Sequence, residues 1–307
     1  VYSKAFGSLH NDSATPASTD ALFRIYSMTK PMVSVALMML VEDGKVQLTD
    51  PVSKYLPSFK NPMVSVATHD PLYNGVSFKL VPALREPTLQ DLLRHTSGLA
   101  YGELTKNTLV KQAYTDAGVY STARDFDARN LSGAEMAERL GKAPLAQQPG
   151  TVWEYSLSVD VQGRVIEAVT GQRLNDFMQQ RLFKPLKMND TGFDVPAAKA
   201  ARLAHAFAVD PLTQLPNKLI DVSHPPGNDS GGAGGVSTAP DYLRFCQAML
   251  NGGQLDGARI LAGYAGTYFW ADPKEQICAV YMTQAPSPLR AHYRRMLKAL
   301  VAQALVD

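Results

Sequence analysis

The sequence predicts a mixed α/β protein in which an antiparallel sheet, flanked by helices, is formed by both ends of the chain. Strand-like segments lie near the start and the end, and helical periods fill the middle. The 307 residues are 45% hydrophobic and 19% charged, which indicates a globular protein with a large core and excludes disordered and fibrous classes. We expect one domain, with a sheet lobe at about 1–26 and 232–307 and an inserted, mostly helical lobe at about 27–231.

Two elements are predicted at the start of the chain. Residues 1–7 have strand character, although the chain begins with Val1 and we expect the native start to be absent. After a polar loop, residues 23–26 lead into a helical period at 27–41 that ends at Asp43-Gly44. Because proline is tolerated only in the first turn of a helix, Pro31 places Ser27 at the helix N-terminus.

The middle of the chain alternates a loop-rich part with helices. Residues 46–130 are rich in Pro, Asn, Asp and Gly and predict a loop-rich insert with one short helix at 88–94, opened by Thr88. Further helical periods occur at 133–140, 160–169, 174–183, 240–250 and 289–305. Residues 266–271 and 277–283 predict paired strands joined by a turn at 272–275, on which the last helix packs.

Charge and cysteine usage argue against several kinds of partner. Thirty Lys plus Arg against 28 Asp plus Glu leave a net charge of +2, so there is no basic excess for nucleic acid or an anionic membrane. No apolar run approaches the length of a membrane span. The two cysteines, Cys246 and Cys278, are interpreted as buried thiols, and no metal or cofactor is expected. We expect a cytoplasmic protein and leave the oligomeric state open.

Ser27 and Lys30 form an S-x-x-K motif that points to nucleophilic chemistry. Residues three apart lie on one face of a helix and can touch. The spacing alone is about as frequent as chance predicts, so a solvated helix start is the alternative. In the first turn, however, the Ser27 N–H has no partner within the helix and the helix dipole favours negative charge. A nucleophile and an oxyanion donor would therefore coincide at Ser27.

A serine nucleophile needs a base, and no histidine–carboxylate pair is conspicuous near any serine. Tyr155 stands in a tight turn before an apolar helix, where it is either a packing residue or a functional hydroxyl. If Lys30 lies near both hydroxyls, its charge would favour a Tyr155 phenolate that accepts the Ser27 proton.

Seven segments together resemble one family. They are SMTKP at 27–31, LTDPVSKYLP at 48–57, LLRHTSGL at 92–99, PG at 149–150, YS at 155–156 leading to DVQG at 160–163, GGAGGVST at 231–238 and GTYFW at 266–270. In order and spacing they are similar to the serine β-lactamase and penicillin-binding-protein superfamily, most closely to its family VIII carboxylesterases, which are class C β-lactamase-like. The resemblance implies a β-lactamase-like fold and a carboxylesterase that cleaves short-chain esters through an acyl-enzyme. Ser27 would be the nucleophile, Lys30 its activating partner, and Tyr155 the general base and later acid.

Two departures from the family motifs bear on the substrate. Where the family has Lys-Thr-Gly, or often Trp-Gly-Gly, residues 261–264 read LAGY, and a segment that precedes this strand in relatives is absent or omitted. If the strand is intact, the Tyr264 N–H is the second oxyanion donor beside that of Ser27. The tyrosine motif of β-lactamases is Tyr-x-Asn, whereas this chain has Leu157. The missing Asn and Lys favour uncharged esters over penicillins.

The substrate pocket is predicted less firmly. Its candidate residues are Tyr101, Leu157, Gly263 and Phe269, with Trp153 as a further aromatic; core packing is the alternative for Trp153 and Phe269. His95 is interpreted as a structural turn, and residues 231–238 as a turn with a helix cap. Two other functions stay open: an amide hydrolase of the same fold, such as a β-lactamase or D-amino-acid peptidase, and an inactive binding module.

Overall fold

The computed structural model describes most of the chain. The described residues are 3–10, 15–69, 76–121, 129–210, 212–217, 219–261, 271–272 and 277–278. Within them the helices are α1 (Thr29–Glu42), α2 (Leu89–Arg94), α3 (Thr108–Asp116), α4 (Gly133–Lys142), α5 (Ser158–Thr170), α6 (Leu174–Met178) and α7 (Ala239–Leu250). The strands are β1 (Phe23–Arg24), β2 (Met63–His69), β3 (Val76–Pro82), β4 (Val236–Ser237), β5 (Gln254–Leu255), β6 (Ala258–Arg259), β7 (Ala271–Asp272) and β8 (Ile277–Cys278).

Helix α1 is buried along most of its length. A 3-10 turn at Tyr26–Met28 leads into it, so Pro31 falls in the first α-helical turn, where its missing N–H costs no hydrogen bond. Val33, Val35 and Leu37 are fully buried, which shows that the helix is covered on more than one side. It packs against α5, which also contacts α2, α4 and α6. The α1–α5 pair therefore holds the N-terminal ends of both helices in fixed positions.

The predicted helices are confirmed to within two residues at each end wherever the structure describes them. Thr88 caps α2 in a reciprocal capping box with Asp91, as its position before the helix predicted. Thr238 caps α7 by accepting a hydrogen bond from the Asp241 N–H. The period at 174–183 continues past α6 as a π-helical turn, Gln179–Phe183. The helix predicted at 289–305 lies outside the described residues.

The described strands form short antiparallel pairs. β1 pairs with β4, Phe23 opposite Ser237, which joins an early segment to a late one. β5 pairs with β6, and β7 with β8, Ala271 opposite Cys278. The last pair confirms part of the predicted hairpin, whose remaining residues lie outside the described ranges.

Two sequence predictions of secondary structure are wrong. The insert at 46–130 is more than loop and one helix, because it contains α3 and the seven-residue hairpin β2–β3. β3 exposes residues on both of its faces, and its sequence alternates apolar and polar residues over 76–80, a strand signal that was missed among the surrounding Pro, Asn, Asp and Gly residues. Residues 3–7 form no strand. The Ala17 N–H donates to the Gly7 carbonyl at 2.8 Å, but residues 3–7 do not take part in the continuous ladder of backbone pairs that makes a strand.

No helix in the described ranges is both long enough and apolar enough to cross a bilayer.

Candidate active site

The structure brings Ser27, Lys30 and Tyr155 together. The Tyr155 hydroxyl donates a hydrogen bond to Ser27 Oγ at 2.5 Å, and Lys30 Nζ donates to the same oxygen at 3.3 Å. Ser27 is exposed to solvent, whereas Lys30 is only 8% exposed. An accessible hydroxyl with a proton acceptor and a cation within hydrogen-bond reach is the arrangement that an activated nucleophile requires.

Three acceptors surround the Lys30 ammonium. Besides Ser27, it donates to the Tyr101 hydroxyl at 2.9 Å and to the Gly232 carbonyl at 2.7 Å. An ammonium has three N–H donors, so all of them are used. Its nitrogen also lies 4.6 Å from the centroid of the Tyr155 ring. Lys30 is therefore held in place beside the hydroxyl of Ser27 and the ring of Tyr155.

Backbone hydrogen bonds fix the loop that carries Tyr155. The Glu154 N–H donates to the His95 carbonyl at 2.9 Å, and the Leu157 N–H to the Ala100 carbonyl at 3.4 Å. The loop is thus attached on both sides of Tyr155 to residues 95–100. Helix α5 begins directly after it, so the packing of α5 on α1 also sets the distance between Tyr155 and Ser27.

His95 contacts this loop through a hydrogen bond and a ring contact. It ends α2 in the left-handed conformation, with φ of 57°. The Ser156 N–H donates to its Nδ1 at 3.3 Å, and its ring lies 5.1 Å from that of Tyr155. Burial and the charge of Lys30 lower the pKa of His95 to about 4. The neutral ring agrees with the structural role that the sequence predicts for this turn.

The glycine-rich turn at 230–235 closes the site from the other side. The Gly235 N–H donates to Thr29 Oγ1 at 3.0 Å, which ties the turn to the start of α1. The Gly232 N–H donates to Asp160 Oδ1 at 3.0 Å. A Cβ on Gly232 would lie 2.3 Å from Asp160 Oδ2 and 2.8 Å from the Tyr101 hydroxyl, so the close approach requires glycine.

The candidate pocket residues differ in how much of their surface is exposed. Tyr101 is 4% exposed and serves as a partner of Lys30. Leu157 is 3% exposed and packs in the main core, which leaves it little surface to offer a substrate. Trp153 is 65% exposed, so the core-packing alternative for it is wrong. Its ring lies 6.4 Å from the ring of Tyr155, tilted by 24°.

Three predicted site residues, Gly263, Tyr264 and Phe269, lie outside the described residues, and the second oxyanion donor stays a prediction. Cys246 is a buried thiol, as predicted. In the described part of the chain, no group of three or more His, Cys, Asp or Glu side chains is placed to hold a metal ion.

Sequence reasoning missed Gly232 and Asp160 as parts of the site. The segments that contain them, 231–238 and 160–163, belong to the family resemblance. Nothing in the sequence shows that the glycine carbonyl accepts from Lys30, 202 residues away.

Comparison with known proteins identifies the family. The sequence profile of the family described as Beta-lactamase matches residues 1–263. The chain belongs to this family. It lies in the serine β-lactamase and penicillin-binding-protein superfamily, near the family VIII esterases, and has the β-lactamase-like fold.

Individual relatives agree with this assignment. Esterase EstB of Burkholderia gladioli is 33% identical over 269 residues, which cover 81% of this chain and 62% of EstB. Protein Rv1367c of Mycobacterium tuberculosis (strain ATCC 25618 / H37Rv) is 34% identical over 253 residues, 82% of this chain and 59% of that protein. The structure of EstCE1, described as a hydrolase with promiscuous acyltransferase activity, superposes with a TM-score of 0.64 at 25% identity, covering 84% of this chain and 66% of EstCE1. The chain spans about three fifths of the length of these curated relatives.

Proposed function

We propose that this protein is a serine hydrolase, a carboxylesterase that cleaves short-chain esters through an acyl-enzyme on Ser27. The observation that carries the proposal is the 2.5 Å hydrogen bond between the Tyr155 hydroxyl and Ser27 Oγ beside the Lys30 ammonium. Membership of the β-lactamase family and the similarity to an esterase support it.

In the first half of the reaction, Tyr155 acts as the base. With Lys30 stabilising its negative charge, the phenolate accepts the Ser27 proton as Oγ forms a bond to the ester carbonyl carbon. The carbonyl oxygen becomes an oxyanion. The Ser27 N–H, in the 3-10 turn before α1, and the predicted Tyr264 N–H stabilise it. Tyr155 then gives the proton to the leaving alcohol oxygen as the bond to it breaks, which leaves the acyl group on Ser27.

Water completes the reaction by the same route. Tyr155 takes a proton from a water molecule whose oxygen attacks the acyl carbon, and returns it to Ser27 Oγ as the acid leaves. Lys30 takes no part in these proton transfers, because its three N–H donors hold Ser27, Tyr101 and Gly232. Its role is to hold a positive charge in place.

Labelling with a serine-reactive phosphonate, followed by mapping of the labelled residue, tests the proposal. We expect one adduct by intact mass, located on Ser27 by peptide mapping. Ser27→Ala should lose the adduct and lower p-nitrophenyl butyrate hydrolysis by at least about a thousandfold. Tyr155→Phe, which keeps the ring, should lose about a hundredfold or more.

Ser223→Ala serves as the control, because Ser223 is also an exposed serine but lies on a loop outside the site. It should keep wild-type labelling and activity. An adduct on another residue, such as Ser237, would show that the wrong serine is assigned. No adduct at all would favour the inactive binding module.

A further inference from the structure

Asp160 is a buried carboxylate beside the candidate site. It is the third residue of α5 and is only 4% exposed. Its Oδ1 accepts hydrogen bonds from Ser230 Oγ at 2.6 Å and from the Gly232 N–H at 3.0 Å. Its Oδ2 is buried and has no hydrogen-bond partner among the described residues. Burying a charged group is costly unless another charge or hydrogen bonds compensate it, so this position needs an electrostatic explanation.

Lys30 carries the opposite charge and is connected to Asp160 through a single residue, Gly232. The two backbone groups of Gly232 connect the pair: its N–H donates to Asp160 and its carbonyl accepts from Lys30 at 2.7 Å. Across the described residues, no carboxylate lies close enough to form an ion pair with Lys30. The two buried groups therefore hold opposite sides of the same glycine, so the position of the Gly232 backbone depends on both.

The contact between the turn and the carboxylate is tight. A Cβ on Gly232 would meet both Asp160 Oδ2 and the Tyr101 hydroxyl, so these three groups lie against one another. The field of Asp160 also reaches Glu103, whose pKa is raised chiefly by burial and also by the charge of Asp160. A shift of Asp160 would therefore move the Gly232 carbonyl and with it the Lys30 ammonium.

We infer that Asp160 is a positioning residue, which holds the Gly232 turn and thereby keeps Lys30 against Ser27 and Tyr101. The inference rests on the proposed function, since it assigns Asp160 a part in activating the same nucleophile.

A matched pair of variants, Asp160→Asn and Asp241→Asn, tests this inference. Asp241 is likewise the third residue of its helix, α7, and is 7% exposed. One of its oxygens also accepts from a backbone N–H, that of Asp190 at 2.7 Å, and from a hydroxyl, that of Thr191 at 2.9 Å. Both substitutions thus remove a buried charge from similar surroundings, but only Asp160 is linked to Lys30.

The readouts are the second-order rate of phosphonate labelling at Ser27, kcat and KM for p-nitrophenyl butyrate, and the urea midpoint. We expect Asp160→Asn to slow labelling and lower kcat by about 10- to 100-fold with KM little changed, because a small displacement of a catalytic group has effects of this size. Asp241→Asn should shift the urea midpoint by a similar amount and label within about twofold of wild type.

Equal labelling rates for the two variants would overturn the inference and leave Asp160 a purely structural residue. A wild-type protein that is not labelled at Ser27 would instead overturn the proposed function, and the inference with it. If Asp160→Asn does not fold, Ser230→Ala takes its place, since it removes one donor to Asp160 and keeps the charge. We expect this variant to label several-fold more slowly, and a wild-type rate would overturn the inference.

Discussion

At the scale of single residues, the site depends on one ammonium that three distant parts of the chain surround. Ser27 and Lys30 are neighbours on one turn, and their spacing made them predictable. Tyr155 was predictable because its turn precedes an apolar helix and Tyr155 itself belongs to a family segment. The Tyr101 and Gly232 contacts of Lys30 were not, because they join residues 71 and 202 positions apart that no local pattern relates. Trp153 shows the same limit, since an exposed and a buried tryptophan look alike in a sequence.

His95 should make folding stability depend on pH. Its pKa is about 4 in the folded protein, lowered by burial and by the charge of Lys30, against 6.5 in an unfolded chain. Between these values the unfolded chain binds a proton that the folded protein does not, so stability falls as the pH falls through this window. For this group alone the loss from about pH 7.5 to pH 4.5 is about 2 to 3 kcal/mol.

The variant His95→Asn isolates this effect. Asparagine tolerates the left-handed backbone at this position, and its Oδ1 can still accept from the Ser156 N–H. Urea unfolding at the two pH values should show wild type losing about 2 to 3 kcal/mol more than the variant. The same pH dependence in both proteins would mean that folding does not lower the pKa of His95.

At the scale of elements, periodicity predicted the helices, whereas the hairpin β2–β3 was missed. Helices α1 and α5 are both buried on more than one side, and their bounds were nevertheless predicted to within two residues. The hairpin β2–β3 is held by backbone pairing along its whole length, yet β3 has exposed or half-exposed residues throughout. Its alternation of apolar Val76, Phe78 and Leu80 with polar residues is a strand signal, but it lies within a stretch rich in turn-forming residues and was therefore assigned to the loop-rich insert.

The Gly232 turn gives a test at this scale. Gly232→Ala would place a methyl group against Asp160 Oδ2 and the Tyr101 hydroxyl, both of which belong to buried side chains. We expect a loss of about 1 to 3 kcal/mol in the free energy of unfolding. Labelling of Ser27 should also slow, because the Gly232 carbonyl must move away from Lys30.

Gly192→Ala is the control for the added methyl group. The nearest neighbour of a Cβ there would be Asn175 Oδ1 at 3.6 Å, which is ordinary van der Waals contact, and Gly192 does not have a positive φ. This variant should keep stability within about 0.5 kcal/mol and label at the wild-type rate. Equal losses in the two variants would show that the turn can accommodate a side chain.

At the scale of the whole molecule, the fold assembles the site from segments that are far apart in the chain. The hydrogen bonds at Ser27 and Lys30 span 128 and 202 residues, and the β1–β4 pair joins the same early and late segments. The family resemblance predicted this assembly, because its motifs occur in a fixed order over most of the chain. Composition alone predicted only a globular protein without the basic excess that nucleic-acid binding needs.

The choice between ester and amide substrates is a property of this assembled site. Leu157, which stands where β-lactamases have an amide-binding Asn, is buried in the core, and Lys30 already donates to three acceptors. Within the described residues, these two positions therefore offer no spare group for the amide and carboxylate of a penicillin. We expect kcat/KM for p-nitrophenyl butyrate to exceed that for nitrocefin by at least about a hundredfold. Ser27→Ala should abolish both activities, which separates enzymatic turnover from spontaneous hydrolysis. A faster nitrocefin rate that also depends on Ser27 would contradict the proposed esterase. It would mean that residues beyond the described ranges bind the amide, and that the protein is an amide hydrolase.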